Sequence, residues 1–379
     1  MCRIGEIYAE RSQRGATDME LLSVTMNDGV KPRCEIEGKD NSSEDKSNYK
    51  IVRTGDMVYN SMRMWQGANG ISPYNGIVSP AYTVLMPKCP ISNGYFAALF
   101  KSPNLINEFR KNSQGMTSDT WNLKYPQIET IKICIPPLAE QEHIADMLTI
   151  LDKRIATQSQ LVDSIKKYKR GLLRTVFSEK GTHSLLLKAA SLRIDEVCDV
   201  LSGKRIPKGE TFSPHPTEYR YITVSNMGEK YVCSDTLQYI TIHTEKQITQ
   251  YKVRKGDIII SVAGTLGKLN IITPDLDGVN LTENCDRFTN FRGINPEYLY
   301  HVLSSDLIQS QIETSKTKNG QPKLALERIR NFVVPVPHRE RQEQFVGVMN
   351  SIDKYIASQQ AILDRYCKVR AGLLQQIFI

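Results

Sequence analysis

Two long segments of the chain carry apolar residues at alternating spacings of three and four, the pattern of a helix that buries one face. Each segment places a glutamine on that face at the same relative position, Gln158 and Gln359. The apolar positions are Ile144, Leu148, Leu151, Ile155, Val162, Ile165 and Leu172 in the first segment, and Phe345, Met349, Ile352, Ile356, Leu363 and Leu373 in the second. A heptad pattern of this length predicts two coiled-coil helices, each of about 40 residues and therefore about 60 Å long.

The two segments are copies of one sequence. With an offset of 201 residues, Gln141 falls on Gln342, and GLLRTVF at 171–177 falls on GLLQQIF at 372–378. The same offset places VRTGD at 52–56 on VRKGD at 253–257. Because the period is far longer than the roughly 20–50 residues of solenoid repeats, we interpret the chain as a tandem duplication of a unit of about 190 residues.

Ordinary core helices are the alternative interpretation of these two segments. Globular helices average about 11–12 residues, which is much shorter than the segments. A polar residue at the same position in both copies also favours a registered seam, since a buried polar pair can fix how two helices align. We therefore expect the two helices to pack antiparallel on each other, because a lone helix would leave its apolar face in water.

The remaining parts of the chain contain short β-branched runs bounded by turn residues. These runs are IVRTGDMVYNSMR at 51–63, YITVSNM at 221–227, KVRKGDIIISVAG at 252–264, KLNIIT at 268–273 and NFVVPVP at 331–337. Short helices are predicted at 94–112 and 297–314. The predicted fold is therefore α+β. It has four parts, with mixed modules at 1–135 and 181–335 and long helices at 136–180 and 336–379.

Composition places the chain among globular proteins with a mild basic excess. Its 379 residues suffice for about two to three domains, and the net charge is +8. This charge permits a polyanionic partner without establishing one. The eight cysteines form no C-x-x-C pair, and the first residues contain no apolar signal segment. Scattered thiols, together with the lack of an apolar run of about 20 residues, predict a cytoplasmic protein.

Basic, amide and aromatic side chains concentrate in the predicted loops of both modules. Lysine and arginine can neutralise phosphates, while arginine, asparagine and glutamine carry the donors that read base edges. Taken singly, each of these residues is more often a solvated surface residue, and the basic stretch at 316–323 is the strongest cluster. The candidate DNA-binding residues are Arg63, Trp65, Gln66, Lys111, Asn112, Gln114, Asn122, Lys204, Arg205, Asn226, Lys268, Lys316, Lys318, Asn319, Gln321 and Lys323.

Over essentially its whole length, the chain resembles the specificity subunit of type I restriction–modification systems. The resemblance rests on IPPLAEQEHIADMLTILDKRIA at 135–156, on GLLRTVF and GLLQQIF, and on the TGDMV and KGDII turns. SPAYTV at 79–84 and NGQPKL at 319–324 are also similar to that family's variable modules. The second helix begins with VPHRERQEQ instead of the family's PPLxEQ pattern, although Pro337 and Gln342 are kept.

This resemblance implies two target-recognition domains, each reading one half of a split DNA site, with two antiparallel conserved helices setting the unread gap between the halves. It also implies three kinds of partner. These are double-stranded DNA, two modification (methyltransferase) subunits carrying S-adenosylmethionine and, where the system has them, two restriction subunits using ATP and magnesium. The chain itself is expected to be non-catalytic and to hold no cofactor or metal. The modification subunits are expected to dock helices on the conserved pair.

Two other functions stay open from the sequence. A single-chain DNA methyltransferase or nuclease would need an N/D-P-P-Y/F motif and a glycine-rich cofactor turn. In this chain Pro136-Pro137 is followed by leucine, and AGTLGK at 263–268 lacks the spacing of a phosphate loop. A protein-binding coiled-coil scaffold is the other alternative. DNA binding that does not respond to salt would favour the scaffold, because phosphate contacts weaken steeply as salt rises.

Overall fold

The computed structural model describes residues 1–15, 18–26, 29–36, 38, 40, 42–117, 120–177, 189–314 and 323–378. Helices and strands both contribute, so the fold is α+β, as predicted. The chain divides into two compact units, Met1–Leu161 with Gln359–Ile379, and Val162–Ser358. Each boundary falls inside a long helix, so each unit combines one mixed module with part of both helices. The four-part division of the sequence stays a prediction.

The module of the first unit is built from short antiparallel strands and short helices. Its strands are β1 (Cys2–Arg3), β2 (Tyr8–Glu10), β3 (Leu22–Thr25), β4 (Gly29–Pro32), β5 (Lys50–Val52), β6 (Met57–Asn60), β7 (Asn69–Ile71), β8 (Gly76–Val78), β9 (Tyr82–Pro87) and β10 (Lys132–Ile133). Its helices are α1 (Ile4–Ile7), α2 (Asn93–Leu99), α3 (Pro103–Asn112) and α4 (Tyr125–Ile128), and the first long helix, α5 (Leu138–Val176), follows. The largest sheet has the order β2-β9-β6-β7, and β1-β10, β3-β4 and β5-β8 form further pairs.

The module of the second unit is also built from short strands and short helices. Its strands are β11 (Ala190–Arg193), β12 (Asp199–Ser202), β13 (Arg220–Ile222), β14 (Gln238–Tyr239), β15 (Ile258–Ser261), β16 (Leu269–Ile271), β17 (Asn280–Leu281), β18 (Cys285–Thr289) and β19 (Val333–Val336). Its helices are α6 (Ile194–Val197), α7 (Ile242–Ile248), α8 (Pro296–Leu303), α9 (Asp306–Thr314) and α10 (Leu326–Arg330), and the second long helix is α11 (Arg339–Ile377). This module includes a three-stranded sheet, β14-β13-β17, in which β13 and β17 are parallel. The largest sheet has the order β12-β18-β15-β16. It matches β2-β9-β6-β7 strand for strand, so the duplication extends into the parts whose sequences have diverged.

The repeated Gly-Asp turn leads into the central strand of each sheet. Gly55 and Gly256 have φ angles of 91° and 84°, in the left-handed region where a side chain would strain the backbone. The carboxylates of Asp56 and Asp257 are buried. Each accepts a hydrogen bond at 2.8 Å from the main-chain N–H of the arginine three residues earlier. The turn is therefore kept in both copies because it shapes the entry into β6 and β15.

A buried glutamine in the first turn of each long helix ties that helix to its module. The Gln141 side chain accepts a hydrogen bond at 3.2 Å from the N–H of Ser92, the N-cap residue of α2. The Gln342 side chain accepts one at 2.7 Å from the N–H of Asn295, the N-cap residue of α8. Both amides also donate at 2.9 Å to the carbonyl of the proline five residues earlier. The altered motif before the second helix therefore leaves this docking unchanged.

A phenylalanine anchors the last turn of each long helix. Phe177 is buried edge-on against Tyr298 and Phe345, with ring centroids 6.0 and 5.4 Å away. In the first unit, Phe378 is buried against Tyr95 at 5.4 Å. Each unit therefore holds the first turns of one long helix and the last turns of the other.

The two long helices contact each other in the first unit through equivalent glutamines. The Gln158 amide donates to the side-chain oxygen of Gln359 at 2.8 Å and to its main-chain oxygen at 3.0 Å. Arg370 pairs with Asp152. Asp152 precedes Gln158 in α5, whereas its partner Arg370 follows Gln359 in α11. The two segments therefore run antiparallel. Every residue predicted for the seam is buried or half-buried.

The same two positions of the repeat form an ion pair in the second unit. Asp353, the counterpart of Asp152, pairs with Lys169, the counterpart of Arg370, and also with Lys230 at 3.1 Å. Burial alone would raise the pKa of Asp353. The hydrogen bonds and positive charges of the two lysines instead hold its pKa below the ordinary value, so the carboxylate stays ionised near neutral pH.

Replacing Gln342 by alanine should lower the free energy of unfolding by about 1–3 kcal/mol, because the N–H of Asn295 and the carbonyl of Pro337 would lose their partner. The midpoint of urea unfolding, followed by circular dichroism, measures this loss. Gln344→Ala is the matched control, because Gln344 is exposed on the same helix and should change the free energy by less than about 0.5 kcal/mol. Equal losses in the two variants would contradict the anchoring role of Gln342.

Candidate nucleic-acid interface

A surface turn after β6 carries three of the predicted DNA-binding residues of the first module. Buried Met64 anchors the turn, while Arg63 is exposed and Trp65 and Gln66 are half-buried. The indole Nε1 of Trp65 donates to the carbonyl of Met62 at 3.1 Å. The guanidinium of Arg63 donates to the Gln66 side-chain oxygen at 3.4 Å. These contacts hold the three side chains in one patch.

A second segment of the same module closes onto this turn. The main chains of Gln114 and Asn122 exchange two N–H···O bonds, at 3.0 and 2.8 Å, which join the ends of the loop between them. Trp121 then lies edge-on to Trp65, with ring centroids 5.2 Å apart. The Arg110 guanidinium, at the end of α3, lies 5.5 Å from the centre of the Trp121 ring. Each such contact contributes about 0.5–1 kcal/mol, and together these contacts place the guanidinium and both indole rings in one surface patch.

Three separate segments thus form the tryptophan cluster, which consists of Arg63, Trp65, Gln66, Arg110 and Trp121. It contains both tryptophans of the chain. Arg110 and Trp121 are not among the residues predicted from the sequence. The signal that could have found them is the placement of both tryptophans in polar loop segments, with a basic helix end between them in sequence.

Lys111 and Asn112, which were predicted from the sequence, are engaged with their own helix. Lys111 Nζ lies 2.7 Å from the carboxylate of Glu108, and the Asn112 amide donates to the main-chain carbonyl of Glu108 at 2.9 Å. Lys111 is exposed, whereas Asn112 is half-buried. The structure therefore shows Arg110 in the cluster, and shows Lys111 and Asn112 in contact with Glu108.

In the second module, Lys204 and Arg205 follow β12 and are both exposed. Lys204 lies with its ammonium 5.7 Å from the centre of the Tyr251 ring. Arg205 donates to the Glu283 carboxylate at 2.6 Å. Burial alone would raise the pKa of Glu283, but the hydrogen bond from Arg205 helps to hold its pKa below the ordinary value. Because this carboxylate neutralises Arg205, Lys204 contributes more of the net positive charge here.

Two predicted residues of the second module make hydrogen bonds within the module, and their contact with DNA stays a prediction. Strand β13 ends at Ile222, and a turn follows it. Asn226 is buried in this turn, and its amide closes the turn by hydrogen bonds with Thr223 and Thr236. Lys268 is half-buried, and its ammonium donates to the main-chain carbonyl of Met227.

The basic stretch of the second module lies mostly outside the described residues. The predicted residues on which the structure is silent are Lys316, Lys318, Asn319 and Gln321. Lys323 is described and exposed. Next to it, the Leu324 N–H donates to the carbonyl of Val262, just after β15, at 3.0 Å. In the first module the Leu123 N–H donates to Ser61, just after β6, at 2.9 Å. The end of the basic stretch thus occupies the position that the tryptophan-bearing loop has in the first module.

No group of three or more histidine, cysteine, aspartate or glutamate side chains in the described part of the chain could hold a metal ion. None of the helices described has the length and apolar character required to span a membrane. All eight cysteines are unpaired.

A repeated α+β module with basic and aromatic loop surfaces is typical of a nucleic-acid-binding protein. The amino-acid sequence also matches a known protein family. The family model for the type I restriction modification DNA specificity domain matches residues 3–167 and, a second time, residues 188–365. The two matches cover most of the chain and follow its duplication. The chain belongs to the family of type I restriction–modification specificity subunits, which confirms the resemblance seen in the sequence.

Individual relatives and solved structures agree with this assignment. The chain is 24% identical over 324 residues to the type I restriction enzyme MjaVIII specificity subunit of Methanocaldococcus jannaschii, covering 81% of this chain and 74% of the relative. It is 25% identical over 301 residues to the EcoKI specificity subunit of Escherichia coli K12, covering 72% and 61%.

Among solved structures, the S subunit of a type I system from M. genitalium matches with a TM-score of 0.56 and 15% identity, over 100% of this chain and 95% of that one. A chain from a structure concerning assembly and conformational transition of the type I R-M system matches with a TM-score of 0.65 and 17% identity, over 99% and 96%. At such low identity these matches show a common fold.

Proposed function

We propose that this DNA-specificity subunit reads a bipartite target, one half with each module, and directs adenine methyltransferase subunits to it. The observation that carries the proposal is the contrast between framework and loops. The sheets have the same strand order, and Gln141 and Gln342 anchor the helices in the same way. The turns after the central strands differ, however, with RMWQG at 63–67 and GTLGK at 264–268. Two copies of one scaffold with different loops suit two different half-sites.

The long helices supply the spacing in this proposal. Each has 39 residues, which corresponds to about 58 Å at 1.5 Å per residue. As an antiparallel coiled coil they would set the unread gap between the half-sites. The hydrogen bonds between Gln158 and Gln359 support a fixed register, because a polar pair in a seam penalises every slipped alignment.

A second apolar stripe on the long helices supports the docking of modification subunits. It is distinct from the seam, and its residues are exposed at spacings of seven or fourteen. On α5 they are Met147, Leu161 and Tyr168, and on α11 they are Val348, Tyr355, Ile362 and Val369. An exposed apolar stripe in heptad register is suited to helices from a partner, which would cover it in a larger bundle.

The chemistry belongs to the partners in this proposal. The modification subunits supply S-adenosylmethionine, and restriction subunits, where the system has them, supply ATP and magnesium. This chain supplies recognition and carries no catalytic group or cofactor. Methyl transfer by the purified chain alone would favour a single-chain methyltransferase instead, and DNA affinity that is insensitive to salt would favour a protein-binding scaffold.

The genomic pattern of N6-methyladenine tests the proposed function directly. In a host that lacks other adenine methyltransferases, the modification subunit together with this chain should methylate one bipartite motif. The modification subunit alone should methylate none, since it lacks recognition. Single-molecule sequencing of genomic DNA reads both patterns. Methylation that is unchanged when the chain is removed would contradict the proposal.

Leu161→Glu combined with Ile362→Glu should weaken binding to the modification subunit by at least about tenfold, because each side chain contributes about 1.5–3 kcal/mol when fully buried. Isothermal titration calorimetry measures the affinity. Gln160→Glu combined with Ala361→Glu is the matched control, since it adds the same charges at exposed positions one residue away. Equal affinity for the two double variants would show that the stripe is not the docking surface.

A further inference from the structure

The tryptophan cluster presents one arginine in a form suited to reading a base. We propose that Arg110 is a specificity-determining residue of the first module and that it recognises a guanine through the O6 and N7 atoms of its major-groove edge. The proposal rests on the proposed function and deepens it, because it assigns one base of one half-site to one side chain.

The first argument is the availability of the Arg110 side chain. Arg110 is exposed, and within the described ranges its guanidinium contacts the Trp121 ring and is paired with no carboxylate. The adjacent Lys111 lies 2.7 Å from the Glu108 carboxylate. Arg63 lies against the Gln66 side-chain oxygen at 3.4 Å. Of these three cations, Arg110 therefore keeps all its N–H donors for a ligand.

The second argument is that the guanidinium is held in place before DNA arrives. Trp121 is fixed by its edge-on contact with Trp65 and by the main-chain bonds between Gln114 and Asn122. Trp65 is fixed in turn by its hydrogen bond to Met62. An arginine that lies on an aromatic ring has already lost much of its rotamer freedom, so less entropy is lost when its donors engage a base.

The third argument is the match between this geometry and guanine. A guanidinium presents two parallel donors, and guanine is the base with two acceptors side by side in the major groove. A phosphate can also accept the paired donors of an arginine, but a flexible lysine binds phosphate as a point charge without them. A rigid aromatic support would add little to a phosphate contact, whereas it adds directional precision to a bidentate contact with a base.

Trp121 is a positioning residue in this proposal, because it acts through Arg110. A purely structural contact between Arg110 and Trp121 is the competing explanation. It would affect the stability of the loop without affecting which base is preferred. The experiment therefore measures base preference at each position of the target rather than overall activity.

The test uses the complex of the full chain with its modification subunit, and the readout is the N6-methyladenine motif in host genomic DNA. For Arg110→Lys, preference for guanine should fall roughly ten- to hundredfold at one position of one half-site, with the other half-site unchanged, because lysine keeps the charge but loses the paired donors. Lys132→Ala is the control, because Lys132 is an exposed cation of the same module outside the candidate DNA-binding residues, and this variant should keep the motif intact. A uniform loss of methylation in Arg110→Lys without a change of motif would overturn the proposal.

Variants of Trp121 separate positioning from structure. Trp121→Ala should relax the same position as Arg110→Lys, and Trp121→Phe should restore the preference, because phenylalanine keeps a ring beneath the guanidinium. Relaxation at a different position would overturn the proposal. Both tryptophans lie in the cluster, so an unchanged fluorescence emission spectrum of Arg110→Lys shows that the cluster is intact.

The inference and the proposed function fail in different ways. If the wild-type complex methylates no bipartite motif, the proposed function is wrong and the role of Arg110 falls with it. If the wild-type complex methylates such a motif and Arg110→Lys methylates the same motif with the same guanine preference, only the role of Arg110 is wrong.

Discussion

The antiparallel contact between the two long helices is the constraint on which both compact units depend. A helix of 39 residues with an apolar stripe cannot stay in water alone. Within each unit, a segment of one long helix contacts a segment of the other. Because the helices are copies of one sequence, equivalent positions form an ion pair in both units. Asp152 pairs with Arg370 in one unit, and the equivalent Asp353 pairs with Lys169 in the other. The glutamine anchors then fix each module to the helix that follows it.

Duplication of the scaffold separates what must be constant from what can vary. The Gly-Asp turns, the glutamine anchors and the terminal phenylalanines are repeated because each fixes backbone geometry or fills the core. The turns after β6 and β15 have no such task and have diverged. The first module has RMWQG at 63–67 there, whereas the second module has GTLGK at 264–268. Such a scaffold can change its target without changing its fold.

The helices and the repeat could be predicted from the sequence because their signals are local. A spacing of three and four residues is visible in a single copy, and Gln158 and Gln359, which the repeat aligns, form hydrogen bonds with each other. The strand order β2-β9-β6-β7 could not be predicted, since the strands pair across distant segments of diverged sequence. The altered motif before Gln342 also concealed a docking contact that the structure shows to be unchanged.

The sequence could predict only in part which residues of the candidate interface lie together. One surface turn holds Arg63, Trp65 and Gln66 together, as expected for residues that are close in sequence. Arg110 lies against Trp121, whereas Lys111 and Asn112 contact Glu108. This difference could not be predicted, because adjacent residues on a helix point about 100° apart and composition does not tell which way each side chain faces. Asn226 looks like a loop residue, yet it is buried because its amide closes the turn after β13.

The target methylated by a chain with two identical modules tests the central claim most directly. Residues 2–133 would be replaced by residues 192–334, which keeps both glutamine anchors and both long helices. We predict a single methylated motif with two copies of the half that the second module reads, and with the unread gap retained. A motif that keeps the original first half would contradict the account, because recognition would then lie outside the modules.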